Sequence, residues 1–269
     1  MKSLPRLIVL LGPTASGKTA LAVRLAAKLN AEIISADSRQ VYKGMDIGTG
    51  KDLSEYILEG KPIKYHLIDN LEAGEQYTAF YFKQDFFEIY NHPDNLQKTF
   101  ILCGGTGMYI EALLKNYVFG KNPDDESFQE KDNLAYLTAQ KTLSSSEFIV
   151  FGLNPPVEIR RKKITQRLKA RFQEGMIEEV KALVEKGISY EKLIFYGLEY
   201  KFIAHFLMGE IDEKTLFEKL NIAIHQFAKR QMTYFRRMEN GLTINWIPDE
   251  LDMAEKLLFI DKIFHTEVK

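Results

Sequence analysis

The sequence predicts an α/β fold, a parallel sheet flanked by helices with a smaller, mainly helical lobe attached. Short apolar runs at residues 7–11, 31–35, 65–68 and 100–103 alternate with stretches whose apolar residues recur at helical spacing. Strands buried on both faces read as unbroken apolar runs, and the helices between them are the crossovers that a parallel sheet requires. The later segment 116–210 is dominated by polar and helical patterns, which marks it as a separate lobe.

The elements follow in order. Leu7–Leu11 ends at Gly12, and residues 19–29 repeat apolar side chains at helical spacing, so strand, turn and helix follow one another. Strands at 31–35, 65–68 and 100–103 come next, with an aromatic helix at about 78–90 in which Tyr77, Phe80, Tyr81, Phe82, Phe86, Phe87 and Tyr90 are core candidates. The polar stretch 120–147 supports one short helix at most and reads as a lid or a shortened insertion. A strand at 148–153 precedes Asn154-Pro155-Pro156, which opens a basic helix with proline in its first turn. Gly175 separates it from a helix at 176–185. A long helix at about 213–238, a short strand at 243–247 and a terminal helix from Pro248 complete the chain. The division expected is a core of residues 1–115 and about 211–269, with a lobe at about 116–210.

Composition excludes several classes. Hydrophobic residues make up 45% and charged residues 27% of 269, which is ordinary for a globular protein and rules out a disordered chain. One cysteine, Cys103, makes no internal disulfide, and the apolar run before Gly12 is too short to span a membrane, so a cytoplasmic location is expected. The five histidines and single cysteine show no zinc-ligand spacing. A net charge of −1 argues against a protein that coats nucleic acid over its whole surface, yet permits a local basic groove. Two clusters are candidates: Arg160, Arg161, Lys162, Lys163, Arg167, Lys169 and Arg171, and then Lys229, Arg230, Arg236 and Arg237. Each reads either as a solvated helix face or as an anion-facing surface.

Gly12-Pro13-Thr14-Ala15-Ser16-Gly17-Lys18-Thr19 satisfies the P-loop pattern between a buried strand and a helix. Glycines let backbone N–H groups turn toward phosphate oxygens, the helix N-terminus adds positive potential, Lys18 supplies a cation, and the Thr19 hydroxyl suits Mg2+. The alternative is a ligand-free tight turn, which the coincidence of Gly, Lys and Thr at this spacing disfavours. The pattern announces a pyrophosphate-like group without announcing a kinase. Ser35-Ala36-Asp37-Ser38-Arg39-Gln40-Val41-Tyr42 follows the second strand, at the carboxyl end of the sheet where open α/β sheets bind ligands. Asp37 there is a base, a magnesium partner or a turn cap.

GPTASGKT, ISADSRQVYKGMDIGTGK, HLID, GGTGMYI and AKRQMTYFR, in that order, resemble the motifs of the tRNA dimethylallyltransferase (tRNA isopentenyltransferase) family. The resemblance implies a prenyltransferase whose P-loop holds the diphosphate of dimethylallyl diphosphate. It implies Asp37 as general base toward the exocyclic amine of an adenine beside the tRNA anticodon. Ser38, Arg39, Gln40 and Thr106 then contact the extruded nucleotide, and Lys229, Arg230 and Gln231 meet the tRNA anticodon stem-loop. A monomer is expected. Departures accompany the likeness: the family's longer helical insertion is absent, Ile224-His225-Gln226 stands where the family has TRQ, and Gly48-Thr49-Gly50-Lys51 has glycine in place of alanine. Prenyl transfer to free adenine nucleotides and a small-molecule kinase are the competing readings. Cys103 reads as a small buried apolar residue, and His66 as a structural or supporting polar group.

Overall fold

A computed structural model describes residues 6–119 and 137–266. Most of the polar stretch read as a lid or shortened insertion, residues 120–136, lies outside the described residues.

β1 (Leu7–Leu11) leads through the loop 12–17 into α1 (Lys18–Leu29), which stops at a left-handed Asn30. β2 (Glu32–Ser35) follows. A hairpin of β3 (Ile57–Leu58) and β4 (Lys61–Pro62), unforeseen in the sequence, turns on Glu59 and Gly60, both at positive φ. β5 (Tyr65–His66) is shorter than its apolar run because Leu67 and Asp69 take positive φ and break the ladder. Then come α2 (Ala79–Tyr90), β6 (Phe100–Gly104), α3 (Gly107–Leu114) and β7 (Phe148–Leu153). The later half holds α4 (Val157–Gln173), α5 (Met176–Glu185), α6 (Tyr190–Tyr196), α7 (Leu198–Leu207), α8 (Glu213–Met238), β8 (Asn245–Ile247) and α9 (Met253–Thr266).

Six strands form one parallel sheet in the order β5-β2-β6-β1-β7-β8. β1 lies between β6 and β7, with Leu7 opposite Phe100 and Phe148. Its side chains alternate between two cores. Leu7, Val9 and Leu11 face α2, α3 and the end of α8, while Ile8 and Leu10 face α1 and α9. Each fully buried aliphatic side chain of this kind contributes about 1.5–3 kcal/mol, so the central strand anchors both layers.

The third core joins lobe to sheet and corrects the expected boundaries. β7 lies within the span expected for the lobe, yet it pairs with β1 at the centre of the sheet, so the helical lobe begins at α4. α8 lies within the span expected for the core, yet it serves both units. Leu216, Leu220, Ile224 and Ala228 pack among α4, α5 and α7, whereas Met232, Phe235 and Met238 pack under the sheet.

At the amino ends of the strands, the Glu32 carboxylate receives Lys98 Nζ at 2.6 Å, His66 Nε2 at 2.7 Å and Lys64 Nζ at 3.1 Å. Burial opposes its ionisation, but these hydrogen bonds outweigh burial and hold it at about 2 against an ordinary 4.5. The depressed carboxylate therefore contributes stability above pH 4.5 that disappears as pH falls toward 2. Glu32→Gln is expected to flatten that part of the acid-unfolding curve, measured by circular dichroism at stepped pH.

Candidate active site

The loops after β1, β2 and β6 meet at the carboxyl end of the sheet around a cleft of about 320 Å³. The first wall is the P-loop. Ala15 and Gly17 both lie in the left-handed region, at φ 60 and 84, which turns successive N–H groups toward the cleft as an anion-binding nest. A Cβ on Gly12 would stand 2.8 Å from the Leu153 carbonyl, so only glycine lets the loop lie against the end of β7. Lys18 curls back, its Nζ donating to the Pro13 carbonyl at 2.7 Å. Burial lowers Lys18 to about 8 from an ordinary 10.5, while nearby Cys103 and the Asp37 charge work in the opposite direction.

The second wall is the turn after β2. Asp37 Oδ1 accepts from the Arg39 N–H at 3.0 Å, closing an Asx-type turn that leaves the carboxylate on the cleft beside Lys18 and Thr19. Thr106 Oγ1 accepts from the Ser38 N–H at 3.0 Å, and the Thr106 N–H donates to the Ala36 carbonyl at 3.1 Å. These bonds knit the aspartate turn to the Gly104–Thr106 loop. A Cβ on Gly104 would overlap the Ala36 backbone, so this close approach depends on glycine.

The third wall comes from the lobe. Lys163, Arg167 and Arg171 stand four residues apart on α4 and line the cleft with Glu199 of α7 and Phe227 of α8. Arg39 Nη1 is paired with Glu199 at 2.6 Å, and Arg167 Nη2 with Asp52 at 2.5 Å. From α5 the Glu179 carboxylate accepts the N–H groups of Asp46, Ile47 and Gly48 at 2.8, 2.6 and 3.1 Å. Lys51 is buried with its ammonium on the Tyr42 carbonyl, Asp46 and Asp69, which fixes the loop that follows the aspartate turn. The result is a cleft with cations on facing walls, in which Glu199 and Asp52 are paired with Arg39 and Arg167 and the Asp37 carboxylate makes no salt bridge among the described residues.

The protein-family model described as IPP transferase matches residues 40–140 and 127–238. The tRNA dimethylallyltransferase 1 of Azobacteroides pseudotrichonymphae is 47% identical, with 90% of this chain and 92% of that protein covered. The chain belongs to the IPP transferase family. The tRNA dimethylallyltransferase 2 of Phocaeicola vulgatus is 43% identical, with 97% of this chain and 98% of that protein covered. That comparison runs over 301 positions against 269 residues here, so at least 32 positions of the relative have no counterpart in this member of the family. The crystal structure of the full-length tRNA isopentenylpyrophosphate transferase from Bacillus halodurans matches with a TM-score of 0.81 at 25% identity, covering 98% of this chain and 96% of that one.

Within this family frame, the structure brings Thr14, Ser16, Lys18, Thr19, Asp37, Arg39 and Gln40 together on one cleft. It separates others that the sequence grouped. Gln231 turns inward, away from its exposed neighbours Lys229 and Arg230: its amide accepts from the Thr14 N–H and donates to the Gly105 carbonyl, both at 2.9 Å. Gln231 thus braces the P-loop against the glycine loop. Lys229 and Arg230 line an outer groove with Gln226, Thr233, Tyr234 and Arg237. Gln40 is tied to Ser35 Oγ at 3.1 Å and the Gly50 carbonyl at 3.2 Å. Cys103 sits on the cleft floor, where burial pushes its thiol up to about 11. Asp52, Glu199 and Phe227 carry no sequence motif and were not foreseen; the available signal was the four-residue spacing of Lys163, Arg167 and Arg171. No helix among the described residues is long and apolar enough to cross a membrane.

Proposed function

We propose that the protein transfers a dimethylallyl group from dimethylallyl diphosphate to the N6 amine of the adenine adjacent to the anticodon in tRNA, releasing diphosphate. The observation that carries this reading is the placement of Asp37 on the same cleft as the P-loop and the α4 cations. The N6 nitrogen attacks C1 of the allylic chain as the C1–O bond to the diphosphate breaks. The N6 proton passes to the Asp37 carboxylate, directly or through one water. The leaving group gathers negative charge, which the P-loop N–H groups and Lys18 are placed to stabilise. The adenine enters by leaving its stack, which costs least for an unpaired loop base.

Mg2+ fits this site. Among the described residues no three His, Cys, Asp or Glu side chains form a metal group, and magnesium characteristically takes one or two protein oxygens with the rest from phosphate and water. The Thr19 hydroxyl would hold it, and the ion would neutralise diphosphate charge. Ser38, Arg39, Gln40 and Thr106 shape the nucleotide's entry, with Arg39 and Thr106 acting through the contacts described above. Lys229 and Arg230 present the outer cationic face to the anticodon stem-loop. The enzyme works as a monomer in the cytoplasm, where its tRNA is found.

The test offers labelled dimethylallyl diphosphate and magnesium with tRNA, AMP, or a phosphate-acceptor panel containing ATP. Label in tRNA is the expected result. Label in AMP instead would move the enzyme to free nucleotides, and ATP turnover without prenyl transfer would make it a kinase.

A further inference from the structure

We infer that Arg171 is a phosphoryl-binding residue, gripping the diphosphate from the wall opposite the P-loop in a space that Gly50 keeps open. The inference rests on the diphosphate reading above, and its ground is an unmet donor. The Arg171 side chain is only 9% exposed, and its Nη2 is buried with no hydrogen-bond partner among the described residues. The Asp52 carboxylate stands 3.9 Å from that nitrogen, beyond hydrogen-bond range. Arg167, one turn earlier, is satisfied by contrast: its Nη2 donates to Asp52 at 2.5 Å and to the Gly50 carbonyl at 3.2 Å.

A buried guanidinium with an unfilled donor is costly, and such groups in native structures call for an explanation such as a ligand that completes them. Arg171 lines the same cleft as the P-loop, so the ligand that reaches it is one the P-loop also holds. Phosphoryl oxygens match the guanidinium fork in charge and geometry. Gly50 supplies independent support. It lies at φ +67, where L side chains are strained, and a Cβ there would overlap the Nη2 atoms of both Arg171 and Arg167. The missing side chain at position 50 is what admits the two guanidinium groups to the cleft. Phosphoryl oxygens also occur along an RNA backbone; the enclosure of Arg171 with the P-loop favours the small diphosphate.

The experiment titrates inorganic pyrophosphate with magnesium into the full chain by calorimetry, comparing wild type with Arg171→Met, Arg171→Lys and Gly50→Ala. Each variant is also melted and tested for binding to an anticodon stem-loop RNA. Arg171→Met is expected to weaken pyrophosphate binding about tenfold to hundredfold, as the loss of a charged hydrogen bond predicts, with RNA affinity within about twofold. Arg171→Lys recovers part of the loss, because the charge remains and the fork does not. Gly50→Ala weakens pyrophosphate binding in parallel. Pyrophosphate affinity within about twofold of wild type in Arg171→Met overturns the inference, and a loss confined to RNA moves Arg171 to the nucleic-acid backbone instead. If the methionine variant does not fold, unchanged affinity in both Arg171→Lys and Gly50→Ala overturns it. A wild type that binds pyrophosphate but transfers no prenyl group sinks the functional reading alone.

Discussion

Replacing Asp37 by asparagine is expected to lower kcat by about two to four orders of magnitude, the usual worth of a positioned general base. Asparagine is the informative choice because the side chain has two jobs. Its Oδ1 accepts the Arg39 N–H at 3.0 Å and closes the turn after β2. An amide oxygen keeps that bond, while the amide accepts no proton from the attacking amine. Single-turnover transfer and stem-loop affinity measured together separate the roles. A collapse in transfer with binding within a few fold assigns Asp37 as the base; unchanged transfer removes it from the chemistry. Asp37→Ala loses the turn bond as well, so a further loss of nucleotide binding in that variant measures the turn.

The second large effect is expected at Lys18. Lys18→Met deletes the cation nearest the P-loop amides and should cost about a hundredfold to a thousandfold in kcat, comparable to losing one donor to a developing oxyanion. The pH dependence is the more specific signature. Burial holds the free ammonium at about 8, so below that pH the site meets the diphosphate already charged. Above it, the free protein must take up a proton to bind, and affinity falls by up to tenfold per pH unit until the value in the complex is reached. Calorimetry with pyrophosphate at about pH 7.5 to about 9.5 should show affinity falling with pH in wild type relative to Lys18→Met, whose remaining slope is that of pyrophosphate's own last ionisation. A slope shared by both proteins would assign the titration to another group.

Much of this was legible in the sequence for local reasons. A P-loop is a contiguous word, and its strand and helix flanks are set by apolar runs that no distant contact needs to complete. Asp37 was legible because it follows a buried strand directly. What escaped depends on long-range geometry. The pairing of Phe148–Leu153 with β1 places a strand from the middle of the chain at the centre of the sheet, and its apolar run alone could not say which unit it joins. Gln231 shares a motif with Lys229 and Arg230, but helical periodicity turns it inward while they face out, and its partners lie more than a hundred residues away. Lys163, Arg167 and Arg171 were visible as charges. Whether their helix faced water or the cleft was decided by where α4 docks, which composition does not encode.

The carboxylate of Glu179 bears on how this chain can change over time. It closes the backbone amides of residues 46–48, a stretch only nine residues past the aspartate on the reacting cleft, and α8 runs unbroken from the lobe into the sheet's underside. Cutting the lobe away would leave three amides without acceptors and an apolar helix face in water. The helices at 157–207 are therefore a keystone and not an accessory: shortening them would unfasten the loop behind the aspartate turn along with the wall they form.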